Sequence, residues 1–304
     1  MLAVIAGQGS LPKAVVNSLS EIPLICSLKG NQPDGLQPEF LFRLENLGSL
    51  IKTLKNRGIT KVCFCGAVTR PEINLEIIDR DTVPFLPNLQ RALEPGDNAA
   101  LSAIISIFEK NDILVKGAHE IAPQLLPPVG NLTQAKPCKE RLNEIALART
   151  VLAEMSKRDE GQACVLRYNK ILAQEDKRGT DAMLKDLSAT TSWPLFEEKK
   201  SDPFSSTLDG IYGALDAAAG WLSGSDSPNV MTRGAEGVLF KAPKLGQDRR
   251  ADLPTIGPNT VVNVKKAKLK GIILDSNGVI VLSLEEVIDL CNESDIFLQV
   301  RAIH

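Results

Sequence analysis

The chain opens with a buried-strand pattern that runs directly into a glycine-rich turn and a helix-forming segment. Leu2–Ala6 is apolar throughout, as is typical of a parallel strand covered on both faces. The turn Gly7–Pro12 follows, and Pro12 suits the first turn of a helix because its missing N–H would have no partner there. This order of strand, turn and helix directs backbone N–H groups at an anion. It therefore predicts an α/β fold with a phosphate-facing edge.

Further apolar runs alternate with helical segments in the first part of the chain. Ile22–Cys26 and Val62–Cys65 predict two more strands, and Leu47–Asn56 predicts a helix between them. Asn98–Lys110 predicts another helix, with Asp97 as its N-cap. Such alternation is typical of a parallel sheet covered by helices. We therefore predict a Rossmann-like parallel-sheet domain at the N-terminus.

The opening segment does not complete the dinucleotide-binding fingerprint of NAD enzymes. That fingerprint requires a third glycine where Pro12 stands, and an acidic residue at the end of the second strand to bind the ribose hydroxyls. The second strand here ends in Ser27-Leu28-Lys29. The sequence thus disfavours an NAD-dependent oxidoreductase, but it is still compatible with a turn that faces a phosphate.

A second group of residues is expected at the same edge of the first sheet. The strand Val62–Cys65 runs on through Gly66 to Thr69 and Arg70. Ligands of open parallel sheets lie beyond the carboxyl ends of the strands, so Arg70 is predicted to lie near Gly7–Leu11. Its guanidinium could bind an anion there through two hydrogen bonds. An ordinary surface arginine is the alternative.

Proline and glycine interrupt every regular pattern in Pro123–Gly130. We interpret this segment as part of a linker over 123–134, between an N-terminal domain of residues 1–130 and a C-terminal domain of residues 135–304. The second half mixes helices with hairpins, which predicts a mixed α/β domain. Its predicted elements are a helix over 136–157, paired strands at 162–166 and 170–173, paired strands at 271–274 and 279–282, a last strand at 296–300, and an insertion at 188–232 with a helix over 206–222.

A group of charged and polar side chains follows the apolar strand Gly237–Phe240. It contains Lys241, Lys244, Gln247, Asp248, Arg249, Arg250 and Asp252. Several cations can neutralise phosphoryl oxygens while a carboxylate holds a metal or orients a water. Lys241 and Lys244 suit the first task as point charges on mobile stems, and Asp252 suits the second. A solvated surface loop is the alternative interpretation of such a charge run.

Composition and charge exclude some classes of partner. A formal net charge of -2 and a pI near 5.9 leave no basic field for nucleic acid. Neither an export signal nor an apolar run of membrane-spanning length is found. Cys63 and Cys65 alternate within one strand, and no C-x-x-C pair or histidine cluster indicates zinc. We therefore expect a cytoplasmic protein with reduced thiols.

An ordered set of short motifs resembles the LpxI-type UDP-2,3-diacylglucosamine pyrophosphatases. The motifs are Ile5–Pro12, Val62–Pro71, Gly117–Glu120, Gly179–Leu184, Lys241–Lys244 and Asp252–Gly257. Each alone is a weak signal, whereas the set in this order is specific. The chain departs from the family pattern by the long segment between Met183 and Gly237, and by Arg178 where a glutamate is expected.

The resemblance implies a two-domain enzyme of Gram-negative lipid A synthesis, with the substrate between its domains. Such an enzyme hydrolyses UDP-2,3-diacylglucosamine to UMP and 2,3-diacylglucosamine 1-phosphate, using a divalent metal such as Mg²⁺ or Mn²⁺. The family's essential aspartate corresponds to Asp252, and Asp181 offers a second carboxylate for the metal. The expected substrate-binding residues are Gly9, Ser10, Leu11, Thr69, Arg70, Thr180, Lys241, Lys244 and Gln247.

Other interpretations stay open at this point. A non-catalytic protein that binds a nucleotide sugar or a lipid would show many of the same features. Thr180 or Asp181 would also serve as an ordinary cap of the helix that follows. Peripheral contact with the inner membrane and association into a homodimer are both compatible with the sequence.

Overall fold

The computed structural model describes residues 1–69, 71–92, 97–189 and 237–302. Arg70 lies outside these ranges, and so do residues 190–232 of the predicted insertion, including its predicted helix. The described residues form a sheet of five strands, a sheet of six strands and a sheet of two short strands. Helices cover the two larger sheets, so the α/β layout predicted from the sequence is confirmed.

The first sheet is parallel at every described pairing, in the order β3-β2-β1-β4-β5. Its strands are β1 (Leu2–Ala6), β2 (Leu24–Leu28), β3 (Phe40–Phe42), β4 (Lys61–Cys65) and β5 (Leu114–Lys116). Its helices are α1 (Leu11–Asn17), α2 (Leu47–Asn56), α3 (Leu86–Ala92), α4 (Asp97–Glu109) and α5 (Ala118–Ile121). The N-terminal half is thus Rossmann-like, as predicted. The helix predicted over 98–110 begins one residue earlier, at Asp97, and ends at Glu109.

The loops that follow β1 and β4 lie at the switch point of this sheet. The chain leaves β1 towards β2 and β3 on one side and later adds β4 and β5 on the other, which is where open sheets bind ligands. Here the two loops are hydrogen bonded to each other. Gln8 N donates to Ala67 O at 2.7 Å, and Ala67 N donates to Gln8 O at 3.0 Å. The two loops therefore form one surface.

The second sheet is mixed, in the order β6-β13-β11-β9-β7-β8. Its strands are β6 (Gly130–Asn131), β7 (Ala163–Arg167), β8 (Lys170–Gln174), β9 (Val238–Lys241), β11 (Gly271–Asp275) and β13 (Phe297–Arg301). Its helices are α6 (Lys139–Lys157), α7 (Thr180–Ala189), α8 (Pro258–Lys266) and α9 (Leu284–Glu293). The strands β9, β11 and β13 are parallel, whereas β7 is antiparallel to β9. The chain enters this sheet at β6, within the predicted linker.

The hairpin predicted at 162–173 is confirmed, whereas the hairpin predicted at 271–282 is wrong. β7 and β8 pair antiparallel around Tyr168 and Asn169, whose φ angles of 49° and 58° make a tight left-handed turn. In contrast, β11 pairs in parallel with β9 and β13 and is buried along its whole length. The next segment, β12 (Ile280–Val281), leaves that sheet and pairs in parallel with β10 (Thr255–Ile256).

This departure of β12 joins the two halves of the molecule. Ile280 is buried in one apolar cluster with Val4 and Val15 of the first half, and Leu253 and Leu282 pack against the same cluster. Hydrophobic burial is the main favourable term in such a junction. The segments around β10 and β12 are therefore held against the Rossmann-like sheet.

We predict that Gly66→Ala destabilises the protein more than Gly58→Ala. Both glycines have positive φ, 94° and 70°, so each alanine costs about 1 kcal/mol for its backbone conformation. A methyl group at Gly66 would also lie 2.7 Å from the Gly7 carbonyl, whereas nothing lies within 4 Å at Gly58. This overpacking adds about 1–3 kcal/mol. Urea unfolding measures the difference, and equal losses would contradict the close approach of the two loops.

Candidate active site

A cleft of about 500 Å³ lies between the two halves of the molecule. The first half lines it with the joined loops after β1 and β4. The second half lines it with the end of β9, the start of α7 and the loop before β10. Three predicted substrate-binding residues, Gly9, Ser10 and Leu11, meet three predicted charged residues here, Asp181, Lys241 and Asp252. The sequence motifs thus converge on one cavity.

Asp252 is positioned by the loop that carries it. Gln247 Nε2 donates a short hydrogen bond to Asp252 Oδ2, and Gln247 Oε1 accepts from Lys244 N at 3.0 Å. Two residues before Asp252, Arg250 forms ion pairs with Asp248 in the same loop and with Glu109 of the first half. Gln247 therefore holds the carboxylate of Asp252, and Arg250 anchors the loop that carries it to the first half.

Lys241 lies deeper than the sequence indicates. It is the last residue of β9, and only 7% of its surface is exposed. Its Nζ donates to Thr180 Oγ1 at 2.6 Å and to Thr255 O at 3.1 Å. The prediction of a mobile side chain is wrong for this lysine, because it lies on a buried strand and two hydrogen bonds fix its ammonium group. The hydroxyl of Thr180 likewise contacts β9 and is not lining the cleft.

The charge of Lys241 is balanced by acidic groups around it. Burial lowers the pKa of Lys241, because an ammonium is poorly solvated in the interior. Glu175, Asp181 and Asp252 act in the opposite direction and raise the pKa of this lysine. A single buried cation therefore sits among three carboxylates, two of which face the cleft.

Asp181 and Asp252 fit one mode of metal binding. Asp181 lies in the first turn of α7, and its Oδ1 accepts from Asn263 Nδ2 at 3.0 Å. Over the described ranges, no group of three or more His, Cys, Asp or Glu side chains is arranged to hold a metal ion. Mg²⁺ at phosphate sites is bound by one or two carboxylates, with substrate phosphates and waters completing its shell. The two aspartates suit that mode but not an all-protein cage.

Several predicted site residues lie away from the cleft wall. Lys244 Nζ pairs with Asp159 at 2.8 Å, and Lys244 does not line the cleft. Thr69 is exposed, and its backbone N–H donates to the buried Asn31 at 2.7 Å. Gln247 contacts Asp252 and not the cavity, and Arg70 lies outside the described residues.

Other polar residues at the cleft were not predicted from the sequence. Arg249 lines it, and so does Gln162 immediately before β7. Gln162 N donates to Glu175 Oε2 at 3.1 Å. The predicted hairpin could have indicated that Gln162 and Glu175 are neighbours, since the residues at the two open ends of a hairpin lie side by side. Arg249 had no comparable signal, because a charge run does not reveal which cation faces a ligand.

His119, one of two histidines, does not line the cleft. Its imidazole packs against Gly117, where a methyl group would lie 2.7 Å from Nδ1. Burial, together with the charge of Arg249, lowers the pKa of His119. The ring thus packs closely against Gly117, and its Nδ1 is buried without a hydrogen-bond partner in the described part of the chain.

Comparison with known families identifies both halves of the chain. The model of the LpxI N-terminal domain matches residues 1–125, and that of the LpxI C-terminal domain matches residues 128–299. The chain belongs to the LpxI family. A UDP-2,3-diacylglucosamine pyrophosphatase LpxI from Caulobacter vibrioides is 29% identical over 98% of this chain and 96% of its own length.

Family membership agrees with the motifs that the structure gathers at the cleft. The LpxI motifs that include Gly9, Asp181 and Asp252 come from three separate parts of the chain, yet all three residues line one cavity. Arg178, which departs from the LpxI pattern, is exposed and pairs with Asp176 and Asp186. In the described part of the chain, no helix has the length and apolar character needed to cross a membrane.

We predict that Lys241→Met lowers turnover at least about 100-fold, because the buried positive charge near Asp181 and Asp252 is lost. Lys244→Met is the matched control, since Lys244 pairs with Asp159 outside the cleft. That variant should stay within about threefold of the wild type, because a partly exposed ion pair contributes little. Steady-state kinetics on both variants measures the effect, and equal losses would contradict the separate positions of the two lysines.

Proposed function

We propose that this chain hydrolyses the pyrophosphate bond of UDP-2,3-diacylglucosamine, giving UMP and 2,3-diacylglucosamine 1-phosphate for lipid A synthesis. Membership of the LpxI family and the named relative support a diphosphatase of this pathway. The observation that carries the proposal is the convergence of Asp252, Asp181 and Lys241 on a cleft lined by the glycine-rich turn. A pyrophosphate needs this combination of cation, carboxylate and backbone N–H groups.

The residues of the cleft divide the work of binding and orientation. Lys241 places a buried positive charge near the carboxylates of the cleft, and Arg249 offers a guanidinium to the phosphoryl oxygens. The backbone turn at Gly9–Leu11 faces the same cavity and suits a phosphate. Gln247 keeps Asp252 in one orientation, so that the carboxylate does not have to reorganise during the reaction.

A divalent metal, Mg²⁺ or Mn²⁺, belongs to the same proposal. Asp252 and Asp181 would hold it, with the substrate phosphates as further ligands. Bound there, the metal would polarise a phosphoryl oxygen and lower the pKa of an attacking water. The lysine between the carboxylates limits their net negative charge, which favours a metal that arrives together with the anionic substrate.

The chemistry of the substrate also supports a proposal about where the protein is located. A diacylated UDP-sugar resides in a membrane, so we place the protein in the cytoplasm with peripheral contact to the inner membrane. A homodimer is part of the same proposal, and analytical ultracentrifugation would test it.

We predict that Asp252→Asn abolishes UMP release, by at least about 1,000-fold, while the melting temperature changes little. The amide keeps the shape and the contact with Gln247 but loses the charge. Asp159→Asn is the matched control, because Asp159 pairs with Lys244 and does not line the cleft. Product analysis with UDP-2,3-diacylglucosamine measures both variants.

The same assay separates the proposal from non-catalytic binding. A binding protein would retain the substrate and release no UMP after prolonged incubation with Mg²⁺ or Mn²⁺. Full activity of the Asp252→Asn variant would show that the reaction is centred elsewhere.

We predict that Asp181→Asn weakens Mn²⁺ binding in the presence of UMP at least about tenfold, as expected when a metal site loses a ligand or its orienting group. Electron paramagnetic resonance of free Mn²⁺ measures the affinity without turnover. Asp186→Asn on the same helix is the control, since Asp186 contacts the exposed Arg178. Equal affinities in all three proteins would remove Asp181 from the proposed metal site.

A further inference from the structure

The cleft has an apolar surface beside its charged groups. Three leucines that line it come from separate parts of the chain: Leu11 at the start of α1, Leu253 in the loop before β10, and Leu282 directly after β12. All three are partly exposed, and all three pack against the apolar cluster around Ile280 that joins the two halves. Leu11, Leu253 and Leu282, here called the leucine surface, are therefore accessible from the cleft and belong to both halves.

The leucine surface lies next to the groups assigned to the pyrophosphate and the metal. Leu11 ends the glycine-rich turn, and Leu253 directly follows Asp252 in the chain. An apolar surface at this place does not help to bind a phosphate, because a charged group is poorly solvated against it. It suits an apolar group that the ligand carries close to its phosphates, since burial of such a group in a partly apolar cleft is favourable.

We propose that the leucine surface binds the acyl chain at position 2 of the glucosamine. The inference rests on the proposed function, whose substrate carries one acyl group at position 2 and another at position 3. The pyrophosphate is attached to position 1 of the sugar, so the chain at position 2 starts on the neighbouring carbon and the chain at position 3 starts farther away. With the pyrophosphate between the glycine-rich turn and Asp252, the chain at position 2 is the nearer one to Leu11 and Leu253.

Contact with both halves gives this chain a part in turnover as well as in binding. An acyl chain on the leucine surface would touch Leu11 of the first half together with Leu253 and Leu282 of the second. Its binding would hold the sugar and the attached pyrophosphate in one position in the cleft. Binding energy from non-reacting parts of a substrate is used in this way, so truncated substrates lose kcat as well as affinity. A UDP-sugar without a long chain at position 2 would therefore be a poor substrate, although it presents the same charges.

The experiment measures kcat/KM for UDP-2,3-diacylglucosamine with two long chains and for two analogues, which carry an acetyl group in place of the long chain at position 2 or at position 3. For the wild type we expect the acetyl group at position 2 to lower kcat/KM at least about 100-fold, because methylene groups then leave an apolar pocket. Leu253→Ala and Leu282→Ala should each reduce this preference for a long chain at least about fivefold. Leu142→Ala is the control and should keep the preference, since Leu142 is an exposed residue of α6 that does not line the cleft.

The preference is a ratio between two substrates in one protein, so a smaller folded fraction or a general loss of turnover cancels from it. The inference is overturned if both leucine variants keep the wild-type preference at position 2, or if they change only the preference at position 3. Calorimetric titration with 2,3-diacylglucosamine 1-phosphate and with its 2-acetyl analogue tests the same contact without turnover. Each leucine variant should lose more affinity for the first ligand than for the second, and equal losses would also overturn the inference. Absence of UMP release by the wild type would instead refute the proposed function, while the two titrations would still report on the leucine surface.

Discussion

The buried ammonium of Lys241 is the interaction on which the site depends. It hydrogen-bonds the first residue of α7 and the backbone at Thr255 of β10, so three separate pieces of chain meet at one atom. Burial of an ammonium is costly unless it is hydrogen bonded and paired with opposite charge. Glu175, Asp181 and Asp252 supply that charge. The carboxylates at the cleft and the lysine beneath them therefore stabilise one another, and none has a role independent of the rest.

A second constraint fixes the loop that carries Asp252. The loop is tied to its own domain where Leu245 N donates to Ser156 Oγ at 2.7 Å, and to the first domain through Arg250 and Glu109. Ala251, between Arg250 and Asp252 in the chain, packs against the apolar core of the first domain. The position of the carboxylate is thus set during folding and not at the moment of binding. Such preorganisation is what makes electrostatic catalysis effective.

The apolar runs predicted the strands well, because a strand covered on both faces has to be apolar along its length. They could not distinguish a hairpin from a central strand followed by a short strand of another sheet. Gly271–Asp275 and Ile280–Val281 flank a turn sequence typical of a hairpin, yet each pairs elsewhere. Pairing is decided by distant partners in the chain, and local periodicity carries no information about them.

The sequence likewise predicted only part of the candidate site. Ordered motifs indicated which residues converge, such as Gly9, Asp181 and Asp252, but not how deep each one lies. A lysine directly after an apolar strand looks like the first residue of a loop, whereas Lys241 completes the strand and is buried. Gln247 and Lys244 shared a motif-rich stretch with Asp252, and only the fold shows that one orients the aspartate while the other faces Asp159.

The Rossmann-like sheet serves this cleft as a neutral wall. Its loops after β1 and β4 are joined by the hydrogen bonds between Gln8 and Ala67, so a ligand at this edge meets their outer surface. Among the described residues that line the cleft, every charged side chain belongs to the second domain: Asp181, Lys241, Arg249, Arg250 and Asp252. The first domain contributes uncharged residues there, which include Gly9 and Gly66 as well as the larger Leu11 and Phe64. A pyrophosphate bound at this junction, as proposed above, would meet charged side chains on one side and the backbone of the glycine-rich turn on the other.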